Sequence, residues 1–105
     1  MMISCVQPSH RRLVVLYLHM NDSVKVSSVG VRGSGEPLSW DRDYIMTELI
    51  PNTLYKTSFI VKTGYKFGEI KFTRNGSFEL EGRPNRKVYF SKSDSTVYHA
   101  VFNTP

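Results

Sequence analysis

The chain has one cysteine, one tryptophan, no apolar run longer than six residues and almost no helical periodicity. Each shortage excludes something. With Cys5 alone, no internal disulfide forms and a zinc site built on paired cysteines is ruled out. The longest apolar run, residues 13–18, falls far short of the roughly 18 residues that cross a bilayer. Arg11 and Arg12 precede it, but no small-residue cleavage site follows, so it reads as a strand rather than a secretory signal. No membrane partner is expected. If these residues are the whole product, nothing directs export, and an unpaired Cys5 suits a reducing compartment, so the expected location is cytoplasmic.

What is present points to a folded, basic, aromatic-rich module. A length of 105 residues holds one domain, and 40% hydrophobic with 12% aromatic content argues against disorder. The formal charge is +5, and residues 62–92 hold eight basic side chains against three acidic ones, which equals the whole excess. Such a segment fits an anionic partner or the solvated faces of alternating strands, and the strand reading is favoured.

Short alternating stretches separated by turn residues recur along the chain, the signature of an all-β protein. Strands are predicted over residues 12–20, 24–32, 44–49, 54–62 and 68–74, at Phe78 and Leu80, and over 87–90 and 96–102. The first two form either a hairpin or a crossing between sheets. Gly33, Gly35 and Pro37 break the pattern and leave a loop that presents Leu38, Ser39 and Trp40. Asn75-Gly76 is the clearest hairpin signal, because both residues tolerate positive φ. Seven or eight antiparallel strands fit an immunoglobulin-like β-sandwich, with residues 1–11 as an N-terminal extension and 12–105 as the domain. An oligonucleotide-binding barrel is the second choice of fold.

Enzymatic signals are few. His10, His19 and His99 lack metal-ligand spacing, although first and last strands often neighbour in a sandwich and could bring histidines together. Asp41 and Asp43 flank Arg42 beside Trp40, and read as turn-capping carboxylates rather than an acid-base pair. The glycines at 30, 33 and 35 lack the strand-to-helix setting of a phosphate loop. The expectation is therefore no catalytic residue, no metal and no cofactor. Basic and aromatic residues interleave at Lys66, Phe67, Lys71, Phe72, Arg74 and Phe78, yet alternation sends Ile70, Phe72 and Arg74 to one face and Glu69, Lys71 and Thr73 to the other. Most of the aromatics then belong to the core, and nucleic acid ranks below other partners.

Three ordered segments carry a family resemblance: Val29-Gly30-Val31-Arg32-Gly33-Ser34 with Pro37-Leu38-Ser39-Trp40-Asp41, then Gly68-Glu69-Ile70-Lys71-Phe72, then Phe78-Glu79-Leu80-Glu81-Gly82-Arg83-Pro84-Asn85-Arg86. Together they resemble the starch-binding domain, the family-20 carbohydrate-binding module, over residues 13–102. The resemblance implies an immunoglobulin-like sandwich and a non-catalytic module for starch-like α-glucans or a related glycan. It assigns the first stacking tryptophan to Trp40, a hydroxyl-bonding lysine to Lys71 and a turn asparagine to Asn85. Glu81 and Arg86 would tie the turn to its neighbouring strand. The family's second stacking tryptophan is Leu80 here, and a second-site aromatic falls near Gly30, so the implied sugar site is degenerate. Divergent relatives of the fold sit beside hydrolases and esterases. The alternative is thus a structural or protein-interaction sandwich that self-associates or pairs with a hydrolase.

Overall fold

A computed structural model describes residues 10–93 and 95–105. Nine strands run in chain order: β1 (His10–His19), β2 (Val29–Gly33), β3 (Tyr44–Ile45), β4 (Thr47–Ile50), β5 (Leu54–Thr63), β6 (Phe67–Arg74), β7 (Ser77–Phe78), β8 (Arg86–Tyr89) and β9 (Ser95–Val101). Among the described residues there is no helix, and hence none able to cross a membrane.

The strands form two sheets, ordered β4-β5-β1-β9 and β3-β2-β6-β7, with β8 also paired to β6. Their inward side chains meet in one core. Val14, Leu16 and Leu18 of β1, Tyr55, Phe59 and Val61 of β5, and Ala100 of β9 face Val31 of β2, Ile70 and Phe72 of β6, and Val88 of β8. The period-2 spacing of each set is what alternation demands of a strand with one buried face. The all-β, two-layer expectation is met. One pairing departs from an all-antiparallel arrangement: β9 runs parallel to β1, from Leu13 opposite Ser95 to His19 opposite Val101.

Several boundaries differ from expectation for identifiable reasons. β1 begins at His10, because His10 and Arg11 pair with Thr63 and Lys62, so the first two positions of the ladder lie inside the expected extension. Residues 24–28 are not strand. Asn75 supplies the bonds a neighbouring strand would make: its side-chain oxygen accepts from the Ser27 and Ser28 amides at 2.7 and 3.2 Å, and its amide donates to the Lys25 carbonyl at 3.0 Å. The chain therefore crosses from one sheet to the other between β1 and β2. The Asn75-Gly76 turn forms as expected, with φ of 54° and 82° and Arg74 paired with Ser77. β7 stops at Phe78, since Leu80 takes a φ of 51° and turns inward.

Below that turn lies the one deeply buried ion pair among the described residues. Glu79 is 1% exposed, and its carboxylate accepts from Arg86 Nε at 2.7 Å, Arg86 NH2 at 2.8 Å, the Phe72 amide at 2.9 Å and the Asn103 amide at 3.0 Å. Arg86 NH2 also donates to the carbonyls of Val101 and Thr104. Burial, the largest single effect, would lower the guanidinium's pKa, but Glu79 and Tyr98 together outweigh it and hold Arg86 above its ordinary value.

Removing one member of a buried pair strands the other charge, at a cost of about 3–5 kcal/mol. Glu79→Ala is accordingly expected to lower the unfolding free energy, read from urea denaturation, by that amount, whereas an exposed change such as Glu81→Ala leaves it within about 0.5 kcal/mol. A second effect is set by pH. Arg74 bonds Asp22 at 2.7 Å and holds its carboxyl below the ordinary 3.8. A depressed folded-state pKa gives stability that is present above 3.8 and lost as pH falls through the folded value. The stability gap between the wild type and Asp22→Asn, present at neutral pH, should therefore shrink below pH 3.8 in acid titrations followed by circular dichroism. A gap that persists unchanged in acid would refute this.

Candidate functional site

The loop between β2 and β3 is shaped from β2 outward. Ser34 donates its amide to the Glu69 carbonyl at 3.0 Å, continuing the ladder for one residue. The chain then turns over Gly35 at φ 81°, with the Leu38 amide returning to the Gly35 carbonyl at 3.0 Å. Leu38 is buried and roots the loop in the core. Gly33 permits this path, because a Cβ there would stand 2.6 Å from the Glu69 carbonyl oxygen.

Trp40 sits at the crest of this loop with its residue 37% exposed. Its position is held through the backbone: Arg32 NH1 donates to the Trp40 carbonyl at 3.2 Å, while Arg32 Nε donates to Asp43 at 2.8 Å. Thr73 donates its hydroxyl to the same Asp43 oxygen at 2.8 Å, and the Arg32 guanidinium lies 5.0 Å from the centre of the Phe78 ring. Asp43 is thus a cross-strand tie rather than the cap of its own turn. Sequence reasoning missed this triad of Arg32, Asp43 and Thr73. Its signal was an arginine at an outward position between Gly30 and Gly33, where the missing side chains leave room for a neighbour to fold over the sheet.

Beside Trp40 opens a broad cleft of about 1180 Å³, somewhat larger than the roughly 300–1,000 Å³ usual for small-ligand sites. Ser34, Ser39, Asp41 and Arg42 line it from the loop, and Arg11, Ile60 and Lys62 from β1 and β5. Arg11 and Lys62 stand directly opposite each other in the β1–β5 ladder. Hydroxyls, the two carboxylates of Glu36 and Asp41, and three cations therefore line the same cleft as an exposed indole.

Lys71 and Asn85 do not line that cleft. The Lys71 ammonium donates to the Leu80 carbonyl at 3.0 Å, and the Asn85 amide donates to Glu69 at 3.1 Å. Both residues serve the turns on the far side of β6. Arg86 ties its turn to the neighbouring strands, but its partner is Glu79, and Glu81 is exposed. Leu80 is 4% exposed, so the position matched to a second stacking tryptophan belongs to the core. Gly30 leaves no space for an aromatic either, because a Cβ there would lie 2.6 Å from Asp43 Cβ.

The histidines divide. His10 stands at the start of β1, whereas His19 and His99 meet on the outer face, with ring centres 6.1 Å apart. Among the described residues no group of three or more histidine, cysteine or carboxylate side chains is placed to hold a metal. No family model and no curated protein sequence matches the chain.

Because Gly30 is packed against Asp43, Gly30→Ala should push that carboxylate off Arg32 and Thr73. The expected result is about 1–3 kcal/mol of destabilisation, read from the denaturant midpoint, together with a red shift of Trp40 emission as the loop loosens. Since Trp40 is the single tryptophan, its fluorescence reports this loop alone. Unaltered emission would show that the triad does not position it.

Proposed function

We propose that this chain is a non-catalytic glycan-binding module, an immunoglobulin-like sandwich of starch-binding type that holds an α-glucan or related glycan at Trp40. The observation that supports it most directly is the half-exposed indole at the mouth of a polar cleft. A pyranose ring has an apolar face that stacks on an indole, and hydroxyls around its rim that need donors and acceptors in the same plane. Ser34, Ser39, Asp41, Arg42 and Arg11 offer both. Asn85 acts one step back in this reading, bracing Glu69, whose backbone anchors Ser34 at the cleft wall, whereas Lys71 has no part in it. One stacking ring in an open cleft implies low affinity.

A second reading is favoured by a separate observation. On the outer face of the first sheet, exposed Leu13 pairs with exposed Ile60, and Val97 lies beside Val15 on the adjacent strand. An apolar sheet face of this kind fits a protein-interaction module that self-associates.

Titration calorimetry with maltoheptaose and glycogen discriminates between them. Binding at millimolar sugar is expected for the wild type, and Trp40→Ala should weaken it at least about tenfold, or about 1.4 kcal/mol, with an unchanged melting temperature. Absence of heat at millimolar sugar, together with a dimer in light scattering, would replace the glycan reading with the second one.

A further inference from the structure

The parallel pairing of β1 and β9 has a chemical consequence at its far end. It sets Tyr17 opposite His99 and Val101 opposite His19, so the two imidazoles occupy diagonal positions on neighbouring strands and share the outer face. His99 lies flat on the Tyr17 ring, with centres 4.6 Å apart and planes within 6°, and the Lys56 ammonium lies 5.5 Å from the same ring. His99 is therefore held in place while remaining exposed, and His19 is half-buried beside it. Both line a largely apolar recess that Asn21 and Thr104 also border.

We propose that His19 and His99 form a binding site for a late first-row divalent cation, zinc, nickel or copper, that clamps β1 to β9. Imidazole is the side-chain ligand these ions share, and it binds them in its neutral form near neutral pH. With metal–nitrogen bonds of about 2.0–2.1 Å, two imidazoles on one ion have ring centres roughly 5–6 Å apart. The observed 6.1 Å is close to that separation. A rotation of His19 about χ2, a soft torsion for an imidazole, leaves its ring centre in place and turns a ring nitrogen toward His99, which Tyr17 keeps fixed. The nearby cations are already engaged: Arg86 is neutralised by Glu79, and Lys56 sits over Tyr17 on the β5 side. Water completes the coordination, with the Asn21 amide and the Thr104 hydroxyl in the same recess as further oxygen donors.

Such an ion would act as a cross-link. His19 and His99 are 80 residues apart in sequence, so a bridge between them closes most of the domain into a loop and penalises the unfolded chain. It would also tie β9, an edge strand of its sheet, to the strand beside it. Because the folded state presents the pair preformed and the unfolded state does not, binding should appear directly as added stability.

Titration of EDTA-stripped protein with zinc chloride or nickel chloride tests this. One ion per chain should bind, the melting temperature should rise, and EDTA should reverse the rise. His19→Asn and His99→Asn should each abolish both the stoichiometric heat and the thermal shift. His10→Asn, at the other end of β1, should preserve them. Circular dichroism of the metal-free variants guards against misfolding, which is not expected for outward-facing positions. The proposal is overturned if the wild type shows no heat or thermal shift, or if the His19 and His99 variants bind as tightly as the wild type.

Discussion

The buried pair of Glu79 and Arg86 is the constraint around which the rest of the structure is arranged. Two charges withdrawn from water are tolerable only when every polar atom finds a partner, and here the pair and its partners together span four stretches of chain: β6, the turn at Glu79, the start of β8 and residues 101–104. Phe72 in β6, Arg86 at the start of β8, Asn103 after β9, and the carbonyls of Val101 and Thr104 all converge on the same two side chains. The pair thereby fixes how the turn after β7 sits on the second sheet and where the last residues of the chain dock. A neighbouring requirement follows. To present Glu79 inward while keeping Leu80 in the core, the backbone takes a left-handed conformation at Leu80, which a branched side chain adopts only under tertiary constraint. The Leu80 amide is then satisfied by the Asn103 side chain at 2.8 Å.

A second tie does for the loop at Trp40 what the first does for the turn at Glu79. Arg32, Asp43 and Thr73 knit the return of the β2–β3 connection onto the outer face of the sheet, and the glycine at position 30 makes room for it. The result is an indole held at a surface through its backbone rather than buried by its ring. That arrangement costs apolar burial and leaves Trp40 37% exposed beside the cleft. The cleft it borders draws one wall from each sheet: the loop extends from the second, while Arg11, Ile60 and Lys62 project from the first.

How much of this could be read beforehand depended on whether the signal was local. The alternation of Ile70 and Phe72 is local, and it predicted their buried face correctly. Asn75-Gly76 is local as well, and its turn formed where expected, although nothing in the sequence announced that the Asn75 side chain would also hold residues 25–28 in place of a strand. Trp40 was legible as a loop residue because glycines and a proline precede it. Its polar neighbours were not, since Arg11 and Lys62 reach the cleft from strands far away in sequence. Lys71 and Asn85 have the right chemistry for sugar hydroxyls, but their amine and amide are occupied by Leu80 and Glu69.

By itself, the sequence determined an all-β chain with its aliphatic and aromatic residues divided between two faces, because strand periodicity follows from the backbone and needs no partner. Only the tertiary structure decided which strands became neighbours. The parallel seating of β9 on β1, the meeting of His19 with His99, and the choice of Glu79 rather than Glu81 for Arg86 all rest on contacts between residues distant in the chain. Such contacts are selected by the joint packing of the core and by the need to satisfy every buried polar group. Neither condition can be evaluated one segment at a time.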